Sequence, residues 1–305
     1  MVAKNSGLNF SRSRDEGDAR SRVTANNCML PSSLSYPSTG RRGNARVSTS
    51  FDVDPTSLKH VFGHKASLIH IRRALTSDYC AAAVRAAEQL KFKPYEKTEG
   101  SVDFDPILKF GPALFDYHES QDFDAYFRES ERAFHVGAEA FRKAHVVNPL
   151  TVVLEALRSS WPGPVYVAKE HEADYFAGVM RDIPSGALPH VDRACIETPD
   201  LRVGHSKAQA SLVLHLNAPS AGGALRVYDK TPTLQDDQKH TLGYGYTPDA
   251  VHGVTFRGIT SGVGDAVIFP TTQIHSVDKV IGTGRRVTWS TFIGLQADGS
   301  LILWS

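Results

Sequence analysis

In the stretch "SGALPHVDRACIE", His190 and Asp192 stand one residue apart. A strand presents positions i and i+2 on the same face, so an imidazole nitrogen and a carboxylate oxygen there occupy neighbouring positions around one metal ion. The spacing alone is weak, because 13 histidines in 305 residues make a chance His-x-Asp common. A third ligand is offered by His275, 83 positions beyond Asp192 in "GDAVIFPTTQIHSVDKVIGTGRRVTWSTF". Two histidines and one carboxylate form the facial set that suits non-haem Fe(II) and leaves coordination positions open for a co-substrate and dioxygen.

The residues after His275 sharpen this reading. A turn, "DKVIGTG", leads to Arg285-Arg286 at the start of another β-prone run. Antiparallel strands joined by such a turn are expected to set one arginine beside the metal-bearing strand. A fixed guanidinium grips a carboxylate in bidentate fashion. A dicarboxylic 2-oxo acid would then chelate iron at one end and meet the arginine at the other. Alternation places Arg286, Thr288, Ser290 and Phe292 on one face. Arg286 is therefore the expected carboxylate holder, with Thr288 a hydroxyl partner and Arg285 the fallback.

These residues need a scaffold. The first fifty positions are rich in Ser, Arg, Gly and Asn without apolar periodicity, and such a segment buries too little surface to offset the entropy of ordering it. Residues 1–50 read as a disordered arm. A transit peptide is the sharper alternative, but Asp15, Glu16 and Asp18 interrupt the acid-poor run it needs. Deleting the arm is expected to leave the fold and the metal site intact, which solubility and metal content of the truncated protein check. From Phe51 the chain carries "SLIHIRRAL", a strand pattern, and an Ala-rich helix capped by Thr76 or Ser77. Further helices are predicted over "DFDAYFRESERAFHVGAEAFRKAH" and, behind a proline suited to a first turn, "PLTVVLEALRSSW". Beyond Pro164 come short β-prone runs broken by Gly, Pro and Asn, a texture that argues for a sandwich or barrel.

Composition excludes several classes. Net charge is +1, which gives no electrostatic case for nucleic acid or a membrane surface. No apolar run is long enough for a transmembrane helix. Cys28, Cys80 and Cys195 are an odd number without CxxC spacing and give no sign of a disulfide framework or zinc site. The expectation is a reducing, cytoplasmic setting and a small-molecule substrate as partner.

From about residue 175 to its end the chain resembles the Fe(II)/2-oxoglutarate-dependent oxygenases, in their prolyl-hydroxylase-like branch. The resemblance is carried by His190-x-Asp192, "LVLHLNAPSAGGALRVYD", "GDAVIFP", His275 and Gly284 to Arg286. It implies an α+β protein built on a double-stranded β-helix, or jelly roll, over about 161–305, with supporting helices over about 51–160. Together these make a single oxygenase domain, 51–305. It implies Fe(II) held by His190, Asp192 and His275, with 2-oxoglutarate and O2 as co-substrates and Arg286 on the far carboxylate. His215 stands where that branch often carries a tyrosine touching the co-substrate, which makes it a further expected contact. Within the branch the chain is similar to freestanding amino-acid hydroxylases and indole-alkaloid halogenases. Those halogenases have a small residue where Asp192 stands, opening a site for chloride. Asp192 therefore points to oxygen transfer, and the expected reaction is hydroxylation of an amino acid or amino-acid-derived natural product. Oxidative ring closure or desaturation, a protein or peptide side-chain hydroxylase, and a cupin-like metal protein that never activates oxygen stay open as alternatives.

Blander roles weigh on single residues. A lone strand histidine is commonly a satisfied core residue, Asp192 suits a turn cap, and paired arginines suit a surface. "KEHEAD" at 169–174 lacks HExxH spacing and reads as a solvated edge. His205, His240 and His252 receive no role. The run 229–258 is too long for an ordinary strand connection, and its Gly243-Tyr244-Gly245-Tyr246 centre suggests a lid over the metal.

Overall fold

The computed structural model describes residues 51–95, 107–242 and 244–305. The arm read over 1–50, its transit-peptide alternative and Gly243 lie outside the described residues. Eight strands carry the site: β1 (Val179–Asp182), β2 (Ala187–His190), β3 (Ala208–Asn217), β4 (Leu225–Tyr228), β5 (Phe256–Ile259), β6 (Ala266–Pro270), β7 (His275–Val277) and β8 (Val287–Leu295). They form two antiparallel sheets, a major one in the order β6-β3-β8-β1 and a minor one in the order β5-β4-β7-β2. Consecutive strands thus alternate between the sheets, except that β4 and β5 are neighbours in the minor one, the winding of a double-stranded β-helix. Ile69–Ile71 extends the major sheet beyond β6, and Leu108–Phe110 extends it beyond β1.

Period-two alternation sorts the side chains of the major sheet. Leu212, Leu214 and Leu216 of β3 and Val287, Trp289 and Ile293 of β8 pack outward into the principal core. There they meet Leu58, Val61 and Phe62 of helix α1 (Pro55–Phe62) and Ala83 and Ala86 of α2 (Ser77–Ala87). Each fully buried leucine or isoleucine there contributes about 1.5–3 kcal/mol of transfer free energy. The alternate residues, among them Ser211, Val213 and His215 of β3 and Arg286, Thr288, Ser290 and Phe292 along β8, face a cavity between the sheets. Val213, Leu225, Val227, Val267 and Phe269 join the two sheets across their interior.

The helices follow their local signals. Thr76 Oγ1 accepts the Tyr79 N–H at 3.2 Å and starts α2. Helix α3 (Phe123–Lys143) buries Tyr126, Ala133 and Phe141, and α4 (Pro149–Ser160) opens on its proline behind an Asn148 cap. Helix α1 went unread in the sequence because eight residues give little periodicity, although Asp54 caps it and Pro55 begins it.

Two local readings need correction. "DYFAGVMRDI", one of the β-prone runs beyond Pro164, is not a single strand: Asp174 pairs with Lys169, and Val179–Asp182 joins the major sheet beyond Gly178, which turns the chain at φ +112. Cys195 is disulfide-bonded, which the spacing of the cysteines did not suggest. Sequence spacing carries no information on pairing between distant cysteines. Cys80 is a free buried thiol. "KEHEAD" forms a small hairpin, Lys169–Glu170 with Ala173–Asp174, closed by a 3.4 Å Lys169–Asp174 pair and remote from metal chemistry.

Gly178 also yields a stability prediction. A Cβ there would stand 2.4 Å from the Trp289 indole, in a backbone conformation that L side chains rarely adopt. Gly178→Ala is expected to cost roughly 1–3 kcal/mol through overpacking and strain. Thermal denaturation should show a Tm several degrees lower. A shift below about one degree would mean that Trp289 gives way without penalty.

Candidate metal centre and co-substrate pocket

His190 ends β2, and His275 opens β7 directly opposite it in register. Their rings lie 4.2 Å apart between centroids. Asp192 follows one residue after β2. Its backbone N–H donates to the Thr271 carbonyl at 3.0 Å, which fixes the turn that brings its carboxylate back toward the histidines. Asp192 Oδ2 lies 3.3 Å from His275 Nε2, and the three residues each offer a ligand atom within 4.8 Å of the others. The spacing read from sequence is thus realised through strand pairing.

Both imidazoles are oriented by the main chain. His190 Nδ1 lies 2.7 Å from the Leu188 carbonyl and His275 Nδ1 lies 3.0 Å from the Gln273 carbonyl. A carbonyl only accepts, so each Nδ1 carries the proton and each Nε2 presents a lone pair to the centre. Burial, assisted by the neighbouring His275, pushes His190 down to about 4, so it is neutral and ready to ligate near pH 7. Burial would raise the Asp192 carboxyl, but its close approach to His275, then His190 and Arg181, holds it below the usual carboxylate range. One carboxylate and two imidazoles with oriented outer nitrogens are the donor set that Fe(II) takes.

Facing this triad, the major sheet brings Arg286, His215 and Thr288 to one cavity wall, with His215 of β3 opposite Thr288 of β8 in register. Arg286 is 3 % exposed. Its Nε donates to the Gly223 carbonyl at 3.1 Å. Gly223 sits at φ +67, and a Cβ there would meet Arg286 Cδ at 3.1 Å, so glycine lets the chain pass close to the guanidinium. No carboxylate pairs with Arg286 among the described residues. Burial, with Arg181 adding to it, lowers Arg286 to about 10, so it keeps its charge at neutral pH. His215 is buried, with Nε2 lacking any partner. Burial and the Arg286 charge push its pKa well below the ordinary value, so it faces the cavity as a neutral ring. A fixed buried cation beside an orphaned imidazole nitrogen fits the far carboxylate of a chelated 2-oxo acid.

Arg285 has a different task. It pairs with Asp182 at 2.7 Å and its side chain is half exposed. The expected side-by-side placement of the arginine and His275 strands needs correcting. The turn after His275 carries the chain from the minor to the major sheet, so Arg286 looks at the metal ligands across the cavity.

Residues 48–305 match the family model described as the carrier-protein-independent halogenase WelO5. The chain belongs to the WelO5 family of Fe(II)/2-oxoglutarate-dependent oxygenases. An L-gamma-glutamyl-L-propargylglycine hydroxylase of Streptantibioticus cattleyicolor is 28% identical over 211 residues, covering 66% of this chain and 75% of the relative. Leucinostatins biosynthesis cluster protein S of Purpureocillium lilacinum is 30% identical over 220 residues, covering 68% of this chain and 88% of the relative. Among solved structures, an N-substituted L-amino acid dioxygenase of Burkholderia ambifaria superposes with a TM-score of 0.54. The match covers 82% of this chain and 91% of that one at 12% identity, a likeness of fold.

In this WelO5-family oxygenase the insertion between β4 and β5 reaches the metal-bearing strand. It is ordered into a short helix, Leu234–His240, a two-strand hairpin, Thr241–Leu242 with Gly245–Tyr246, and a 3-10 turn, Pro248–Val251. The Leu188 N–H donates to the Tyr244 hydroxyl at 2.9 Å, and the Tyr244 ring stands 5.7 Å from that of His190, edge to face. Arg193 ties the insertion down through Asp237 at 3.2 Å. Tyr244→Ala is expected to raise the fraction of 2-oxoglutarate turned over without substrate oxidation by about two- to tenfold, because water gains access beside His190. Succinate measured against oxidised product checks this; unchanged coupling would remove the covering role.

The cavity also holds residues that the sequence did not mark. Tyr95, Arg181 and Glu197 all line it. Arg181 has one weak local signal, a charged pair with Asp182 at the end of an apolar run. Glu197 and Tyr95 have none.

Proposed function

We propose that this oxygenase hydroxylates an unactivated carbon of an amino acid or amino-acid-derived small molecule. The observation that carries the reading is Asp192 in place beside His190 and His275, across the cavity from a buried Arg286 that lacks a carboxylate. Iron bound by those three residues, with 2-oxoglutarate and dioxygen, supplies an oxidant that takes hydrogen from unactivated carbon, with succinate and carbon dioxide as the other products.

The protein's part is positional. His190, Asp192 and His275 would hold the metal, a three-residue set that leaves room for a co-substrate and dioxygen. Arg286 would grip the distal carboxylate of 2-oxoglutarate, and His215 would offer its free nitrogen to the same group. Asp192, supplying a carboxylate ligand, would favour transfer of oxygen over halogen. Phe269 and Leu225 give the cavity dry walls, and Tyr244 closes it beside His190. A cavity of about 600 Å³ is of a size for a co-substrate and a small molecule. The amino-acid class is supported by the similarity to the Streptantibioticus L-gamma-glutamyl-L-propargylglycine hydroxylase.

Succinate release by the Fe(II)-loaded enzyme tests the reading, run with 2-oxoglutarate and a panel of amino acids and dipeptides in chloride buffer. The expected product has gained one oxygen atom and no chlorine. A chlorinated product, or no 2-oxoglutarate-dependent succinate, would overturn it.

A further inference from the structure

Most charged side chains on the cavity wall are already engaged. Asp192 belongs to the ligand set, and Arg286 faces the co-substrate. Asp116 pairs with Lys109 at 2.5 Å, and Asp278 pairs with Arg226 at 2.8 Å. Glu119 and Lys279 are exposed to solvent. Arg181 and Glu197 are different, because neither has a salt-bridge partner among the described residues.

Arg181 lies on β1, opposite Thr288. Its Nε donates to the Tyr95 hydroxyl at 2.7 Å and its Nη1 donates to the Ser290 hydroxyl. Both partners are neutral, so the guanidinium is held in a set orientation without a carboxylate in contact among the described residues, although its field reaches Asp192. Glu197 ends the single turn Ala194–Glu197 that follows Asp192. Its Oε1 accepts the Arg193 N–H at 2.8 Å, while the Arg193 guanidinium is turned away to Asp237 at 3.2 Å. The cavity therefore presents one unmatched cation and one unmatched carboxyl group besides those assigned to metal and co-substrate. A ligand with a single charge would match only one of them.

We propose that Arg181 and Glu197 form a subsite for a zwitterion, Arg181 taking the α-carboxylate and Glu197 the ammonium of a free α-amino acid end. The inference rests on the oxygenase reading above and deepens it. The two charged ends are anchored on β1 and on the turn after Asp192, and the rest of the substrate extends toward the metal. The oxidised carbon then belongs to the side chain, or to the part of a dipeptide beyond its free α-amino acid end. Substrates lacking either free group leave a half-buried charge unmatched and bind more weakly.

The test is anaerobic calorimetry on the full-length enzyme loaded with Mn(II) and 2-oxoglutarate. The probes are free L-amino acids and γ-glutamyl dipeptides, followed by the methyl ester and the N-acetyl form of the tightest binder. Esterification and N-acetylation are each expected to weaken binding by about tenfold or more. Arg181→Gln should weaken the free acid by about tenfold and the ester by less than about twofold, with Arg181→Lys recovering part of the loss. Glu197→Gln should do the same for the free amine against the N-acetyl form. The proposal is overturned if the variants weaken free and blocked probes alike, since Arg181 would then merely brace Tyr95 and Ser290. It is equally overturned if Arg181→Gln loses 2-oxoglutarate affinity instead, or if no zwitterion binds. Succinate release by the Fe(II) enzyme, measured in parallel, decides the oxygenase reading separately.

Discussion

His275→Ala is expected to abolish turnover and to weaken Fe(II) binding by more than about 100-fold. Outer partners of metal ligands alone are worth about 10- to 100-fold, and a ligand supplies both electrons and geometry. The loss reaches beyond one nitrogen. His275 Nε2 also lies 3.3 Å from Asp192 Oδ2, and its register opposite His190 defines the pair of imidazoles. Without it, Asp192 keeps the penalty of burial and loses the interaction that holds its proton off near neutral pH. His190→Ala and Asp192→Ala should abolish turnover as well. The metal-free protein should not suffer, because drawing a carboxylate and two imidazoles together without their metal is a cost that function imposes on stability. Metal titration, succinate release and the Tm of the metal-free variants check the three parts. Near-native activity in all three variants would remove the site assignment, and a sharp fall in metal-free Tm would mean that these residues hold the fold together.

What was legible in the sequence was whatever a local period encodes. His190 and Asp192 are two apart, and period-two geometry alone places them on one side of a strand end. The same alternation along β8 sent Arg286, Thr288 and Ser290 into the cavity and Trp289 and Ile293 into the core. The caps at Thr76 and Asn148 were readable because capping is local chemistry. What needed three dimensions was less legible. His275 meets His190 through a pairing between strands 85 positions apart, and no period announces it. Arg286 was expected on a neighbouring strand and stands in the opposite sheet, because a turn that changes sheets reads like a hairpin turn in one dimension. Arg181 and Glu197 gain meaning only from what they lack, an opposite charge, and sequence cannot show an unpaired group. The insertion at 229–258 was flagged by its length, but its contact with Leu188 depends on a single tyrosine hydroxyl.

The neighbouring arginines give a sharp contrast. Arg286→Ala should raise the 2-oxoglutarate concentration needed for half-maximal turnover by about 30-fold or more while leaving Fe(II) affinity within about twofold. Removing one member of a buried, hydrogen-bonded charge pair costs about 2–5 kcal/mol, and 2 kcal/mol is already close to 30-fold. Arg286 meets that condition when the co-substrate is bound, being 3 % exposed and free of any protein carboxylate. The iron ligands sit on the minor sheet and the turn after it, so they lose no contact with the change. Arg286→Lys should fall between, since a lysine keeps the charge but not the two-pronged geometry. Arg285→Ala should change the 2-oxoglutarate requirement by less than about threefold, because a half-exposed pair with Asp182 is worth about 1 kcal/mol or less and lies on the other face of the strand. Steady-state kinetics and direct 2-oxoglutarate binding distinguish these cases. If the phenotypes were exchanged, the register of β8 would be displaced by one residue, and every side chain now placed in the cavity, Thr288 included, would belong to the core instead.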